Sequence, residues 1–172
     1  MKNKITTKRI GLTAIFVSLG LVLQYTENRI LITPIPGGKL GLANIVSILN
    51  IFMLGGKNAL LVAVVRAFLG GLLTGGAMTV PYSMAGAIAS VLIMYFFKRL
   101  FYPKMSMVGM GMIGAVFHNL AQLVVAALMY GSVYVFSYLP FLLILSLVSG
   151  ATTGCAAQIF SGRIFKAEKG IN

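Results

Sequence analysis

Six long hydrophobic segments limit what this chain can fold into. They fall at about residues 10–27, 40–56, 58–77, 79–98, 106–130 and 138–163. Each is close to the roughly 20 residues that an α-helix needs to cross about 30 Å of hydrocarbon. Because lipid offers the backbone no hydrogen bonds, spanning segments form helices or closed barrels, and continuous hydrophobic runs without period-two alternation indicate helices. The sequence therefore predicts an all-α integral membrane bundle of six transmembrane helices, with residues 1–172 as one transmembrane domain.

The distribution of basic residues predicts the orientation of this bundle. With both termini in the cytoplasm, the inner side carries eleven of them: Lys2, Lys4, Lys8, Arg9, Lys57, Lys98, Arg99, Lys104, Arg163, Lys166 and Lys169. The outer side keeps only Arg29 and Lys39, and Arg66 lies within a segment. Cytoplasmic loops of membrane proteins carry the excess of lysine and arginine. We therefore expect a multi-pass protein of the cell membrane with both termini cytoplasmic.

The composition excludes several other classes of protein. Hydrophobic residues make up 59% of the chain and charged residues 9%, which is too few to cover the surface of a soluble domain. A net charge of +12 would suggest nucleic-acid binding in a soluble protein, but these basic residues sit mainly at the ends of hydrophobic segments. Topology explains the charge, so no nucleic-acid partner is predicted. The single cysteine, Cys155, excludes a disulfide within one chain.

Arg66 is the first candidate for a binding residue, because it lies near the middle of the third segment. An arginine at the centre of a membrane helix is unfavourable by roughly 2.5–3.5 kcal/mol, so it should face protein or water and have a partner. Glu27, at the outer end of the first segment, is the one acid that could reach it. The remaining partners would be carbonyls, amides or a bound anion. Alternatively, Arg66 lies close enough to the inner surface to extend its side chain there.

The fifth segment places three hydrogen-bonding side chains within five residues, His118, Asn119 and Gln122. His118 and Gln122 are four residues apart and share a helical face, whereas Asn119 points about 100° away. They predict the lining of a site for a polar ligand, with hydrogen bonding between helices as the alternative. A lone histidine without a second ligand at metal spacing argues against a metal site, and no cofactor is predicted.

The stretch from 34 to 50 resembles the edge of a binding site. It begins with Pro34 and Pro36, which disfavour helix, continues through two glycines to Lys39, and enters a hydrophobic segment that carries Asn44 and Asn50. The two asparagines are six residues apart, so we expect only Asn44, the nearer to the outer loop, to line a site. Lys39 is the candidate for contact with a ligand anion. The alternative is an ordinary turn with a solvated lysine.

The sequence lacks the residues that several kinds of catalysis and energy coupling require. The chain lacks the glycine-rich loop ending in Lys-Ser or Lys-Thr that ATP hydrolysis requires. It has no pair of carboxylates for Mg²⁺-dependent diphosphate chemistry, and no membrane-buried acid is expected for proton coupling. A membrane protein that binds a molecule without its own energy source is expected to be a non-enzymatic subunit of a larger assembly.

The sequence Lys-Leu-Gly-Leu-Ala-Asn-Ile at 39–45, together with Arg66 and the sequence His-Asn-Leu-Ala-Gln at 118–122, resembles the Gx transporter family, also labelled heptaprenyl diphosphate synthase component I. More broadly, six helices in about 170 residues resemble the substrate-binding S components of energy-coupling factor transporters. The resemblance extends over roughly residues 8–165. It implies a membrane subunit that captures a small molecule outside the cell, and Arg66 together with the basic residues near the outer loop favours a polar or anionic molecule.

The resemblance also implies partners. An S component associates with a transmembrane coupling subunit and two ATPase subunits, which supply the energy for import. S components present an Ala-x-x-x-Ala motif in the first helix to the coupling subunit, and the matching positions here are Ala14 and Ser18. Serine is a departure from that motif, although it is small enough to preserve close packing.

The second label implies an alternative function. Prenyl diphosphate synthases use aspartate-rich motifs, and this sequence contains no aspartate. The chain is therefore not expected to be the catalytic subunit of such an enzyme. The alternative that stays open is a non-catalytic accessory membrane protein in isoprenoid or quinone metabolism.

Overall fold

The computed structural model describes the backbone of residues 2–30 and 41–169, and the side chains of 7–29 and 41–163. Within these ranges it contains six α-helices: α1 (Lys2–Ile30), α2 (Asn44–Met53), α3 (Gly56–Gly75), α4 (Val80–Phe101), α5 (Met107–Tyr130) and α6 (Leu139–Lys169). Short 3₁₀ helices at Ala77–Thr79 and Val133–Tyr138 precede α4 and α6. Five of the spans are long and apolar enough to cross a membrane. The predicted all-α membrane bundle is confirmed.

The second predicted segment, 40–56, contains a much shorter helix than expected. At about 1.5 Å per residue, the ten residues of α2 extend roughly 15 Å, about half the hydrocarbon thickness. Glycines in left-handed conformations stand on either side of α2, Gly41 with φ +72° and Gly55 with φ +90°. A positive φ is strained for residues other than glycine and is incompatible with a right-handed α-helix, so the helix does not extend through these glycines. Most of α2 is buried, so it forms the centre of the bundle rather than an ordinary span.

Contacts between helix ends establish the course of the chain. Asn58 Nδ2 donates to Thr13 Oγ1 over 3.0 Å, which brings the start of α3 beside the first half of α1. Lys98 Nζ donates to the Ile51 carbonyl over 2.9 Å, so α4 ends beside the end of α2. Ser161, in α6, contacts Met107 at the start of α5. Successive helices therefore alternate in direction, and α1 begins at the same end of the bundle at which α6 ends.

The exposed side chains of the long helices indicate whether these helices face water or lipid. Large hydrophobic side chains are exposed on α1, α3, α5 and α6, for example Val22 at 60%, Leu73 at 66%, Leu128 at 77% and Ile144 at 65%. A soluble monomer rarely exposes hydrophobic patches on this scale. The exposed faces are those expected of helices surrounded by lipid.

Glycines allow α5 and α6 to approach each other closely. A Cβ atom added to Gly150 would lie 2.5 Å from Met112 Cα, and one added to Gly154 would lie 2.5 Å from Val108 Cα. A Cβ on Gly111 would overlap the Gly150 carbonyl. In lipid, such close backbone contact is a main source of helix association. Gly150 and Gly154 of α6 thus serve packing within the chain.

Candidate functional site

A small cavity of ≈20 Å³ lies where α1, α2, α3, α4 and α5 meet. It is lined mostly by polar side chains, which is unusual inside a hydrophobic bundle. Its lining residues are Gln24, Glu27, Gly41, Ala43, Asn44, Arg66, Ser83, His118 and Gln122. This cavity is the candidate binding site.

Arg66 reaches the cavity from α3 and is only 3% exposed. Its Nη1 donates to Gln24 Oε1 of α1 over 3.1 Å. Its Nε and Nη2 atoms are buried and have no hydrogen-bond partner among the described residues. The side chain crosses α1 at Gly20, where a Cβ would overlap Arg66 Cδ. The guanidinium is therefore held by Gln24 through Nη1, whereas Nε and Nη2 have no hydrogen-bond partner among the described residues.

Glu27 joins the end of α1 to the beginning of α2. Its carboxylate accepts hydrogen bonds from the backbone N–H groups of Gly41, at 2.7 Å, and Leu42, at 2.9 Å. The residue is 3% exposed and interacts electrostatically with Arg66. The acid predicted as the possible counter-charge of Arg66 thus lies in the same cavity, although its two oxygens are used by the backbone.

Replacing Glu27 with glutamine tests this attachment. The amide cannot accept both hydrogen bonds, so one buried N–H group loses its acceptor, and Arg66 loses a nearby negative charge. We expect the free energy of unfolding to fall by about 1–3 kcal/mol, measured as a lower melting temperature in detergent. Arg29→Gln, which removes an exposed charge two residues away, is the control and should melt like the wild type. Equal melting of Glu27→Gln and wild type would contradict the role given to Glu27.

His118 and Gln122 enter the cavity from α5, one helical turn apart. They pack against Gly86 of α4, where a Cβ would lie 2.8 Å from His118 Cε1 and 3.0 Å from Gln122 Cγ. Both amide atoms of Gln122 are buried, and neither has a partner within residues 7–29 and 41–163. The same ranges contain no group of three or more His, Cys, Asp or Glu side chains that could hold a metal. The histidine and glutamine lie on one face, as their spacing predicted.

Asn44 and Ser83 complete the polar lining. Asn44 Oδ1 accepts a hydrogen bond from Ser90 Oγ over 3.4 Å, so its amide is oriented by α4. Asn44 Nδ2 and Ser83 Oγ are buried without a partner in the part of the chain that the structure describes. Both residues are at least 95% buried. A donor from α2 and a hydroxyl from α4 therefore line the same small space as Arg66.

The structure brings together four of the six predicted site residues: Asn44, Arg66, His118 and Gln122. Asn119 does not line the cavity, because it faces α6 and donates to Ser146 Oγ over 2.7 Å. Lys39 lies outside the described residues. Asn50 does not line the cavity, as its spacing from Asn44 suggested. Its Oδ1 accepts a hydrogen bond from Asn58 Nδ2 over 3.5 Å.

The predicted contact residues on the first helix lie elsewhere. Ala14 and Ser18 are on the exposed face of α1, well removed from the cavity residues Gln24 and Glu27. Gly11, on the same helix, has open space where a Cβ would be. Gly11, Ala14 and Ser18 are small and exposed, and the large side chains of Ile15 and Leu19 are exposed beside them.

Sequence reasoning missed Gln24 and Ser83, as well as the glycines that make room for the site. A Cβ on Gly70 would lie 2.5 Å from Gln24 Nε2, much as Gly20 accommodates Arg66 and Gly86 accommodates His118. The signal available was that Gln24 and Glu27 are three residues apart on α1, hence on one face. Which glycine opposes which side chain depends on the packing of neighbouring helices.

Residues 16–160, most of the chain, match the family model described as heptaprenyl diphosphate synthase component I. This is the family that the motifs at 39–45 and 118–122 resembled. No curated protein and no solved structure shows significant similarity to the chain.

Proposed function

We propose that this chain, which belongs to the heptaprenyl diphosphate synthase component I family, is the substrate-binding subunit of an energy-coupling factor importer. It captures a small polar or anionic molecule from the outer side of the cell membrane. Its termini lie in the cytoplasm, and it performs no catalysis itself. The observation that carries this proposal is the set of buried polar atoms around the cavity.

Six atoms on four lining residues have no partner among the described residues: two on Arg66, two on Gln122, and one each on Asn44 and Ser83. Each unsatisfied buried group costs about 1–3 kcal/mol, and a charged one costs more. A cavity of ≈20 Å³ has room for about one water molecule, which makes only about two to four hydrogen bonds. A polar ligand with several acceptors would satisfy these atoms better than water.

The energy for import would come from partners. We propose that a transmembrane coupling subunit packs against Ala14 and Ser18, whose exposed small side chains permit close approach of another helix. Two ATPase subunits would complete the assembly. The excess of basic residues at the end of the bundle where α1 begins supports a cytoplasmic position for that end.

Ala14→Leu tests the docking surface. A leucine there holds the partner helix away, so the coupling and ATPase subunits should no longer co-purify from native membranes, while bound small molecule is retained. Ala77→Leu, the same change at an exposed position on another element, is the control and should keep both. Native mass spectrometry of the gently solubilised protein gives both readouts.

The alternative function, favoured by the family description, is a non-catalytic accessory protein of isoprenoid or quinone metabolism. It predicts a different result in the same experiment. A soluble prenyl diphosphate synthase and a prenylated lipid would co-purify, with no ATPase, and Ala14→Leu would leave them bound. That result would replace the uptake proposal.

A further inference from the structure

The two atoms of Arg66 that have no partner among the described residues lie on one edge of the guanidinium. A guanidinium presents Nε and Nη2 along one edge, with two roughly parallel N–H groups that match the two oxygens of a carboxylate or phosphate. In this protein Nη1 is held by Gln24, and Nε and Nη2 are the two atoms without a partner among the described residues. The atoms left unpaired are thus those of one complete edge.

We propose that the ligand is a carboxylic acid and that its carboxylate binds the Nε–Nη2 edge of Arg66. This inference rests on the proposed function, since it names the substrate class of the same site. Arg66 is already oriented for such a contact. Gln24 holds the guanidinium by a hydrogen bond, and the absence of a side chain at Gly20 lets the aliphatic part of Arg66 pack against α1. A planar pair of oxygens completes the arrangement.

The charge already present in the cavity favours a carboxylate over a phosphate monoester. Glu27 already places one negative charge beside Arg66, so a dianionic phosphate would meet stronger repulsion than a monoanion.

The other unpartnered atoms indicate what adjoins the carboxylate. The Gln122 amide offers both a donor and an acceptor, and Ser83 offers a hydroxyl. A ligand group that both donates and accepts, such as a hydroxyl or an amide, would pair with them. The ligand class is therefore an organic acid with a second polar group near its carboxylate.

The test compares wild type, Arg66→Lys and Arg99→Lys, each purified from native membranes. The small molecule released on denaturation is quantified and treated with carbodiimide and aniline, which adds a fixed mass for each carboxylate. We expect the wild type and Arg99→Lys, an exposed control, to release a labelled acid. Arg66→Lys should release about tenfold less, because lysine cannot form the two parallel hydrogen bonds. If Arg66→Lys does not fold, Ser83→Ala takes its place, with an expected loss of about fivefold.

The outcomes separate the two proposals. A released molecule that resists labelling, including one that phosphatase converts to a neutral product, overturns the carboxylic acid assignment and leaves the uptake function standing. Equal release from Arg66→Lys and wild type overturns the role of Arg66. If nothing is released, the melting temperature of wild type is measured with lactate, a 2-hydroxy carboxylate, and with lactamide. Stabilisation by lactate alone supports the assignment, and equal effects overturn it.

Discussion

Gly150→Leu is expected to disrupt the bundle. The new side chain would point at backbone, since even a Cβ would lie 2.5 Å from Met112 Cα and 2.8 Å from the carbonyl carbon of Gly111. No side-chain rotation relieves this contact, so α5 and α6 must separate. We expect a loss of about 3 kcal/mol or more in the free energy of unfolding, seen as a large drop in melting temperature and in monodisperse protein after detergent extraction.

The control for this variant is Gly162→Leu. Gly162 is also on α6, but nothing lies within 4 Å of the position of a Cβ there. Leucine also has a better helix propensity than glycine, so this variant should be as stable as wild type or slightly more stable. If Gly150→Leu had the same melting temperature as Gly162→Leu, the close contact between α5 and α6 would not be a source of stability.

Gly86→Val is expected to abolish ligand binding while the protein still folds. At this position a Cβ meets side chains instead of backbone, His118 Cε1 at 2.8 Å and Gln122 Cγ at 3.0 Å. These groups can turn aside, but they then leave the positions from which they line the cavity. Loss of the two hydrogen bonds available to Gln122 corresponds to about 2–3 kcal/mol, roughly thirty- to 150-fold in affinity. The measurement is the amount of small molecule that co-purifies per protein.

Ala85→Val provides the comparison. It adds similar volume one residue earlier on α4, at a half-buried position outside the cavity lining. Its ligand content should match that of the wild type, and both variants should elute as monodisperse protein. Undiminished ligand in Gly86→Val would show that the ligand binds elsewhere.

The helices could be predicted from sequence because each long hydrophobic run must satisfy its backbone internally in lipid. The exception is α2, which lies between Gly41 and Gly55 and covers only ten residues of the predicted segment 40–56. A hydrophobic run alone does not reveal that, since glycine is also common inside membrane helices. Here tertiary burial, not membrane thickness, determines the length of the helix.

The candidate site was only partly predictable. Arg66, His118 and Gln122 stand out because such groups are rarely tolerated facing lipid. Asn119 carries the same signal, yet its hydrogen bond goes to Ser146 of α6. The type of residue indicates that a partner is needed, but whether that partner is a neighbouring helix or a ligand depends on which helices are adjacent.

The position of α1 has a consequence for how the cavity can open. Within the described part of the chain, the backbone of α1 packs closely against α2 and α3 but not against α4, α5 or α6. The interfaces of α3 with α4, α4 with α5, and α5 with α6 do not involve it. Moving α1 sideways would withdraw Gln24 and Glu27 and uncover Arg66 while leaving those interfaces intact. A ligand could then enter or leave through the flank of the bundle on which α1 lies.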